Sequence, residues 1–317
     1  MSSKDNYQEN KKQKKIMKID DIKRVLIVGS GTMGVQIGIQ SAIHGYYVNI
    51  FIRNPAKNDI VWDDIQKRTN LIVSEDVISR EEADQMLKRI YSTNDPADAA
   101  KDVDLLSESI PEIVSLKREI FERFNELCPK HTIFTTNTSL LLPSRLAKST
   151  GRPERFLALH FNTPVYVTKT ADIMGHPGTE KEFLDLTIEF SRKIGMLPIV
   201  LDKEQSGYIT NSLFVVLRMK ALELVVNGVA TPRQIDKSWM STMKMGIGIF
   251  GIIDSIGLDV GFELLEQYVL KSGDKQAKAI YEYLKTNFID KGHLGIKTGQ
   301  GFYKYPNPEF ENPDFLK

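Results

Sequence analysis

The sequence of 317 residues has one cysteine, Cys128, and lacks any CxxC motif or cysteine–histidine cluster that could bind a structural zinc ion. A single cysteine cannot form an intrachain disulfide, so a small disulfide-stapled fold is excluded and a reducing compartment, which we expect to be the cytoplasm, is indicated. No metal site is predicted. The sequence also lacks an excess of either charge, because it has 42 basic and 41 acidic residues and a formal net charge of +1. We therefore expect neither nucleic acid nor an anionic membrane as a partner.

Long apolar runs are missing as well. No segment approaches the roughly 18 consecutive apolar residues of a membrane-spanning helix, so the sequence predicts no membrane span. Residues 1–20 contain six lysines and no apolar stretch of the about 7–15 residues that a secretory signal needs. We interpret them as a disordered basic tail. The full length exceeds the roughly 250–300 residues that one core usually serves, which predicts two domains.

A strand–turn–helix–strand pattern opens the folded sequence. Residues 25–28 are a short Val/Leu/Ile run typical of a strand buried on both faces, and a glycine-rich hexapeptide, residues 29–34, follows at once. Apolar residues then recur at helical spacing as far as residue 44, and residues 47–52 predict a second strand. The helical crossover predicts that the two strands are parallel.

Each glycine of the hexapeptide has a physical reason. Gly29 allows a tight turn, Gly31 lets the backbone approach a pyrophosphate, and Gly34 lets the helix pack closely on the strand. The helix N-terminus would then hold the anion. We predict a dinucleotide-binding turn made of Gly29, Ser30, Gly31, Thr32, Met33 and Gly34.

Strands and helices alternate to about residue 200, after which long amphipathic segments take over. The sequence therefore predicts an α/β Rossmann-type domain with a parallel sheet over residues 21–202, followed by an all-α domain over residues 203–317. Residues 63–89 are predicted to be helical throughout, and residues 198–201 are the last predicted strand.

The acid that usually binds the adenine ribose, about 20 residues after the glycines, is missing. Arg53 and its neighbours Ile52 and Asn54 occupy that place. In this fold an arginine here accommodates the 2′-phosphate of NADP, although an exposed arginine after a strand is also typical of a solvated loop. NAD and NADP both remain open.

One histidine stands where a catalytic base would. The sequence has no Walker lysine, HExxH or GxSxG motif, which leaves hydride chemistry with a general acid or base. His160 ends the predicted strand 156–160, and open α/β sheets bind ligands outside the carboxyl ends of their strands. From its position alone, His160 is either a catalytic base or a histidine of the core whose nitrogens are hydrogen-bonded within the protein.

Six segments together are far more specific than any one of them. They are VGSGTMG (28–34), SIPE (109–112), TNTS (136–139), RFLALHF (155–161), GYITN (207–211) and LGIKTGQGFY (294–303). In order and spacing the chain resembles the L-3-hydroxyacyl-CoA dehydrogenase family, which includes 3-hydroxybutyryl-CoA dehydrogenases, over about residues 22–306.

The resemblance implies an NAD(P)-dependent enzyme that transfers a hydride between a nicotinamide dinucleotide and the 3-position of a (3S)-3-hydroxyacyl-CoA or 3-oxoacyl-CoA. It implies an active site of Ser139, His160, Asp172 and Asn211, with His160 as general base or acid and Asp172 orienting its ring. Glu112 and Lys117 fall on the positions that contact the nicotinamide half in that family.

Two departures from the family pattern bear on the site. The family has glutamate where Asp172 stands, so the carboxylate is one methylene, roughly 1.5 Å, shorter. Either the backbone comes closer or the His–Asp pair is looser. Thr163 stands where an asparagine on the nicotinamide side is expected, with Asn162 beside it.

Two other functions remain open: a dehydrogenase of a free hydroxy acid, as in the gulonate and carnitine dehydrogenase relatives, and a non-catalytic dinucleotide-binding protein, as in lens λ-crystallin. Residues 213–226 and 247–256 are more apolar than one small domain can bury, which predicts a homodimer.

Overall fold

The computed structural model describes residues 17–317, so the predicted basic tail lies outside the described residues as far as residue 16. Of the last tail residues, Met17 and Ile19 pack against the hydrophobic core. Residues Ile19–Asp21 form one turn of 3₁₀ helix. Residues 17–20 of the predicted tail are therefore part of the folded structure.

The chain divides into two compact units, the first ending at Tyr208 and the second running from Ile209 to Lys317. The predicted boundary lay after residue 202. Among residues 17–317 no helix is both long and apolar enough to cross a membrane.

Within the described residues, the first unit contains one sheet of eight strands. They are β1 (Arg24–Val28), β2 (Tyr47–Phe51), β3 (Ile90–Thr93), β4 (Leu105–Glu108), β5 (Ile133–Thr136), β6 (Phe156–Phe161), β7 (Thr170–Met174) and β8 (Leu197–Leu201). The order is β3-β2-β1-β4-β5-β6-β7-β8, and all neighbours are parallel except β6 and β7. The predicted Rossmann-type architecture is confirmed, with one antiparallel pair that was not foreseen.

Helices cover both faces of this sheet. They are α1 (Thr32–Ile43), α2 (Asn58–Ser74), α3 (Arg80–Leu87), α4 (Pro96–Ala99), α5 (Val114–Leu127), α6 (Val165–Thr168) and α7 (Lys181–Lys193). Consecutive residues of one strand belong to different hydrophobic clusters on opposite faces of the sheet, as Leu105 and Leu106 do in β4. Strands buried on both faces explain the continuous apolar runs in the sequence.

The segment predicted to be one helix, residues 63–89, is two helices, α2 and α3. The chain breaks after α2, where Asp76 adopts the left-handed region with φ 55°. Ser79 then starts α3 with a capping box, in which its side chain accepts from the Glu82 N–H and Glu82 accepts from the Ser79 N–H. The Ser-x-x-Glu spacing is a helix-start signal that the charge pattern obscured.

Strands β3 and β7 were not predicted. β3 has four residues and Tyr91 within it is 51% exposed, so its apolar signal is weak. β7 carries a buried aspartate, Asp172, in its centre, and aspartate is depleted in strands. The strand forms in spite of this low propensity.

The second unit is helical, as predicted. Its helices are α8 (Thr210–Val226), α9 (Pro232–Met243), α10 (Ile249–Ile256), α11 (Phe262–Ser272) and α12 (Lys275–Asn287). Their core contains the fully buried Phe250 and Leu222, and the C-terminal residues Phe310 and Phe315 pack into it.

Two buried aspartates tie the C-terminal segment of this unit to α10. Asp236 accepts hydrogen bonds from the Phe250 and Gly251 N–H groups at 3.0 and 3.2 Å, and from the Tyr303 hydroxyl at 2.8 Å. Asp254 accepts from the Tyr303 N–H at 2.9 Å. Burial raises the pKa of both carboxyl groups. The hydrogen bonds that they accept act in the opposite direction and lower it, but burial has the larger effect.

Candidate active site

The glycine-rich turn joins β1 to α1. Gly29 has φ +114°, which L side chains rarely adopt, and a Cβ there would press on the carbonyl oxygen of Ser109. A Cβ on Gly34 would clash with the carbonyl oxygen of Gly29, whereas a Cβ on Gly31 would meet no atom within 4 Å. The first and third glycines are thus needed to close the turn, and the second borders open space.

This turn fits the pyrophosphate of a dinucleotide. Gly31 is the N-cap of α1, and no side chain caps the N–H groups of the first turn. The strand order reverses at β1, which lies between β2 and β4, and open α/β sheets bind ligands in the crevice at that point. The uncapped helix N-terminus favours an anion. Of the other predicted residues, Ser30 lies in the same turn, and Thr32 and Met33 are the first two residues of α1.

Arg53 is exposed two residues after the end of β2. Because β1 and β2 are parallel, their carboxyl ends lie at the same edge of the sheet, so Arg53 shares that edge with the glycine turn. This is the position from which the ribose 2′ substituent is recognised in such folds.

His160 and Asp172 face each other across β6 and β7. The antiparallel register pairs them directly, and His160 Nδ1 lies 3.1 Å from Asp172 Oδ2. The two side chains are only 5% and 4% exposed. Directly opposite residues have Cβ atoms about 4.5–5.5 Å apart, so a carboxylate one methylene shorter than glutamate still reaches the ring. The looser pair of the two expectations is not seen, because the carboxylate lies within hydrogen-bond distance of the ring.

Ser139 lies at the other nitrogen of the ring. Its Oγ is 3.1 Å from His160 Nε2, and the segment after β5 that carries it is fixed by Asn137, whose side-chain oxygen accepts the Phe161 N–H at 2.8 Å. A carboxylate at Nδ1 favours the tautomer with its proton on Nδ1. The lone pair then lies on Nε2, the nitrogen that can take up a proton from a ligand beside Ser139.

The residues after His160 support the pair from the side. Asn162 Nδ2 donates to Thr170 Oγ1 at 3.3 Å and lies 3.4 Å from Asp172 Oδ2. Thr163 Oγ1 instead accepts from Gln36 Nε2 of α1 at 3.2 Å. Asn162 is therefore directed to the carboxylate, and Thr163 anchors the chain to α1.

A buried charge cluster lies at the carboxyl end of β4. Lys117 of α5 is 1% exposed, and its Nζ lies 2.6 Å from Glu108 Oε1 and 3.3 Å from Glu112 Oε2. Thr136 donates to the other Glu108 oxygen at 2.6 Å, and Thr138 donates to Glu112. The predicted residues Glu112 and Lys117 are thus brought together, with Glu108 as a third member.

The two carboxyl groups of this cluster differ in acidity. Burial raises the pKa of Glu108, opposed by the charge and hydrogen bond of Lys117. Burial also acts to raise the pKa of Glu112, but the hydrogen bond from Thr138 and the charge of Lys117 together hold it below the ordinary glutamate value. Glu112, whose side chain is 35% exposed, is the more acidic of the two and lies at the edge of the crevice.

Tyr208 is a site residue whose role sequence reasoning missed. Its ring stacks on the His160 ring at 4.6 Å between centroids and 11° between planes, and its hydroxyl donates to the carbonyl oxygen of Thr138 at 2.8 Å. A tyrosine next to a glycine does not show in the sequence which distant residue its ring will contact. Glu108 was missed as well, although a glutamate that ends an apolar strand is itself an unusual feature.

Asn211 is the second residue of α8, in the second unit. Its proposed contact with the substrate or with His160 stays a prediction.

Family comparisons cover nearly the whole of the described chain. Residues 24–205 match the model of the 3-hydroxyacyl-CoA dehydrogenase NAD-binding domain, and residues 207–305 match that of the 3-hydroxyacyl-CoA dehydrogenase C-terminal domain.

Two full-length relatives illustrate the similarity. A probable 3-hydroxybutyryl-CoA dehydrogenase of Bacillus subtilis is 29% identical over 285 residues, which cover 90% of this chain and 98% of the relative. The human mitochondrial hydroxyacyl-coenzyme A dehydrogenase is 30% identical, with 90% and 91% covered.

Solved structures agree with this assignment. A diketoreductase, described as acting on dicarbonyl compounds, is 39% identical with a TM-score of 0.82, covering 90% of this chain and 99% of the other. The (S)-3-hydroxybutyryl-CoA dehydrogenase of Ralstonia eutropha is 26% identical with a TM-score of 0.79, covering 90% and 100%.

Proposed function

The chain belongs to the 3-hydroxyacyl-CoA dehydrogenase family of oxidoreductases, and we propose that it transfers a hydride between a nicotinamide dinucleotide and the 3-position of a (3S)-3-hydroxyacyl-CoA or 3-oxoacyl-CoA. The single observation that carries the proposal is the His160 imidazole, bonded to Asp172 at one nitrogen and to Ser139 at the other. When bound, the dinucleotide supplies or accepts the hydride. The chain has to move the proton.

His160 is the general base in the oxidation direction and the general acid in the reduction direction. Its Nε2 takes the proton of the 3-hydroxyl, and Asp172 at Nδ1 stabilises the imidazolium that forms. Ser139, 3.1 Å from Nε2, donates to the substrate oxygen and so positions it beside the base. Asn211 completes this set by analogy with the family.

The cofactor contacts follow the glycine turn. Residues 29–34 would hold the pyrophosphate with backbone N–H groups. Glu112 would face the nicotinamide half, and the buried Lys117 would act there through its ion pair with Glu112. Arg53 binds the ribose 2′ substituent, which makes NADP as acceptable a cofactor as NAD.

A dicarbonyl compound without coenzyme A is the second candidate substrate. The observation that favours it is the 39% identity to a diketoreductase, compared with 26% to a 3-hydroxybutyryl-CoA dehydrogenase structure. The proton chemistry at His160 is the same for both, because each substrate presents a carbonyl carbon to the hydride.

An absorbance assay of reduced nicotinamide separates these functions. The substrates are acetoacetyl-CoA, free acetoacetate and 2,4-pentanedione, each reduced with NADH and with NADPH, and gulonate, which as a hydroxy acid is oxidised with NAD and with NADP. We expect acetoacetyl-CoA to give the largest kcat/KM; a larger value for 2,4-pentanedione would transfer the proposal to the second candidate. Binding of NADH without turnover of any substrate would favour a non-catalytic protein.

The base is tested with His160→Gln, which we expect to lower kcat by about 10³-fold or more, as the loss of a general base and its positioning does. The matched control is His131→Gln, because His131 is 52% exposed and also pairs with an aspartate, Asp104. It should retain full activity. Activity retained in His160→Gln would reject the proposed mechanism.

A homodimer is proposed from the outer face of α8. Leu213 and Val216 are 68% and 70% exposed on it, and apolar patches of this kind are usually covered by a partner. Sedimentation at micromolar concentration should give the dimer mass, and a monomer would exclude the proposal. A cytoplasmic location, inferred from the single cysteine, remains a prediction for cell fractionation.

A further inference from the structure

Tyr208 contacts the face of the His160 ring, which the two hydrogen-bonding partners of His160 do not reach. Asp172 and Ser139 hold the two nitrogens in the plane of the imidazole, whereas Tyr208 lies against its face, 4.6 Å away and 11° from parallel. Hydrogen bonds at two nitrogens still allow the ring to tilt about the line that joins them. A flat ring packed on the face opposes that tilt.

The hydroxyl of Tyr208 connects this contact to the other half of the site. It donates to the Thr138 carbonyl oxygen at 2.8 Å, one residue before Ser139. Burial raises the pKa of Tyr208, with the charge of Asp172 adding to the effect, so the hydroxyl remains protonated and acts as a donor. One side chain therefore fixes both the base and the segment that carries its serine partner.

The backbone around Tyr208 is unusual for this residue type. Gly207 has φ 77° and Tyr208 itself has φ 51°, in the left-handed region that bulky side chains rarely adopt. Such strain persists only where the surroundings over-determine it, and it is concentrated at functional sites. Tyr208 is 1% exposed and packs on Ala158 and Met174, from the same two strands as His160 and Asp172.

We propose that Tyr208 is a positioning residue, which holds the His160 imidazole in the plane where Nδ1 meets Asp172 and Nε2 meets Ser139. The inference rests on the proposed role of His160 as the base. The aromatic ring is the essential part, and the hydroxyl is a secondary tether to Thr138.

The test compares Tyr208→Phe, Tyr208→Leu and Tyr208→Met in the full chain. Tyr208→Phe keeps the ring and should retain kcat within about threefold, the effect of one neutral hydrogen bond. Tyr208→Leu removes the ring and should lower kcat by about 10–100-fold, since a misplacement near 1 Å costs about 100-fold in rate. The KM for NADH should change by less than about threefold in all variants, because the ring contacts the base and not the glycine turn.

A spectroscopic measurement separates positioning from general damage. Side-chain ¹⁵N chemical shifts of His160 report which nitrogen carries the proton; we expect one tautomer, protonated at Nδ1, in the parent and in Tyr208→Phe, and a mixture in Tyr208→Leu. Tyr208→Met serves if Tyr208→Leu does not fold, because the flexible methionine fills the space without a flat face.

Tyr46→Leu is the matched control. Tyr46 is a buried tyrosine of the same unit, in edge contact with Phe190 at 5.0 Å. Its loss should lower the melting temperature but leave kcat and the His160 tautomer unchanged.

Parent-like kcat and a single tautomer in Tyr208→Leu or Tyr208→Met would overturn the inference. That result is distinct from a failure of the proposed function, which would show as activity in His160→Gln whatever the Tyr208 variants do.

Discussion

His160 and Asp172 are directly opposite each other on antiparallel strands, with Nδ1 and Oδ2 3.1 Å apart. Residues directly opposite on neighbouring strands are near enough for the shorter aspartate side chain to reach the ring. Both side chains are at least 95% buried. The space around the pair, and not the length of the aspartate side chain, therefore limits which residue fits at position 172.

The first prediction concerns the length of this carboxylate. Asp172→Glu adds one methylene, roughly 1.5 Å, in a space that Asn162 and Thr170 already border. We expect the ring to be displaced and kcat to fall by about 10–100-fold. Steady-state kinetics with acetoacetyl-CoA would measure this.

Asp172→Asn gives the charge dependence at constant size. Its amide cannot stabilise an imidazolium, and we expect a larger loss, about 10³–10⁴-fold, as for other histidine–aspartate pairs. Circular dichroism should show both variants folded. Turnover at or above the parent rate in Asp172→Glu would show that the aspartate is the weak point of the site.

The second prediction separates the roles of two glycines. Gly34→Ala places a Cβ against the Gly29 carbonyl oxygen, and we expect a loss of about 1–3 kcal/mol in the free energy of unfolding, as for other overpacked sites. Gly31→Ala adds its Cβ to open space. Its free energy of unfolding should lie within about 1 kcal/mol of the parent value.

Cofactor affinity should nevertheless fall in Gly31→Ala, because the added methyl group occupies the space where the pyrophosphate approaches. We expect the Kd for NADH, measured by fluorescence quenching, to rise by about tenfold, equivalent to about 1.4 kcal/mol. Unchanged NADH affinity in Gly31→Ala would argue against this turn as the pyrophosphate site.

The third prediction assigns the ribose contact. Arg53→Asp should raise the KM for NADPH by about 10–100-fold, the effect of losing hydrogen bonds from a cation to a phosphate, and should leave the KM for NADH equal or lower. Lys57→Asp is the matched control, because Lys57 is an exposed cation four residues further on and makes the same change of charge. Indifference of the NADPH value to Arg53→Asp would reject this role of Arg53.

The fourth prediction compares two tyrosine–aspartate hydrogen bonds. Tyr303 donates to the buried Asp236 at 2.8 Å, and Tyr91 donates to the exposed Asp98 at 2.7 Å. Tyr303→Phe should lower the free energy of unfolding by about 1–3 kcal/mol, because it removes one of the donors to a buried carboxyl group. Tyr91→Phe should cost about 0.5 kcal/mol or less. Urea unfolding would measure both.

The cost of Tyr303→Phe should also depend on pH. Burial raises the pKa of Asp236 above its unfolded value, so its contribution to stability is present at low pH and is lost as the pH rises through the folded pKa. Removing a donor to the charged form raises that pKa further. The loss should therefore be larger at pH 8 than at pH 5; the opposite trend would contradict the assignment of Tyr303 as a donor to a charged Asp236.

Much of the fold follows from local sequence signals. The run at residues 25–28, the three glycines and the helical spacing that follows predict β1, α1 and β2 to within a few residues, because a doubly covered parallel strand needs continuous apolar residues. The break between α2 and α3 was missed, since the charged residues around it continue a helical pattern.

The site was harder to predict, because its members meet through tertiary structure. His160 could be placed at the end of a strand. Its partner Asp172 lies in β7, which was not predicted because an aspartate in its centre weakens the strand signal in the sequence. Tyr208 and Glu108 contact the site residues from positions without any spacing rule. The resemblance to a family supplied residue identities, and the geometry among them is visible only in three dimensions.

The register between β6 and β7 has a consequence for reading related sequences. Side chains alternate between the faces of a strand, so a slip of one residue would set Ala171 or Ile173, instead of Asp172, opposite His160. A histidine and a carboxylate would both survive in such a protein, and a motif search would count them as present. Deleting one residue from the connection at 162–169 would thus separate His160 from Asp172 without changing either residue. The length of that connection is therefore as much a requirement for the pair as the two side chains themselves.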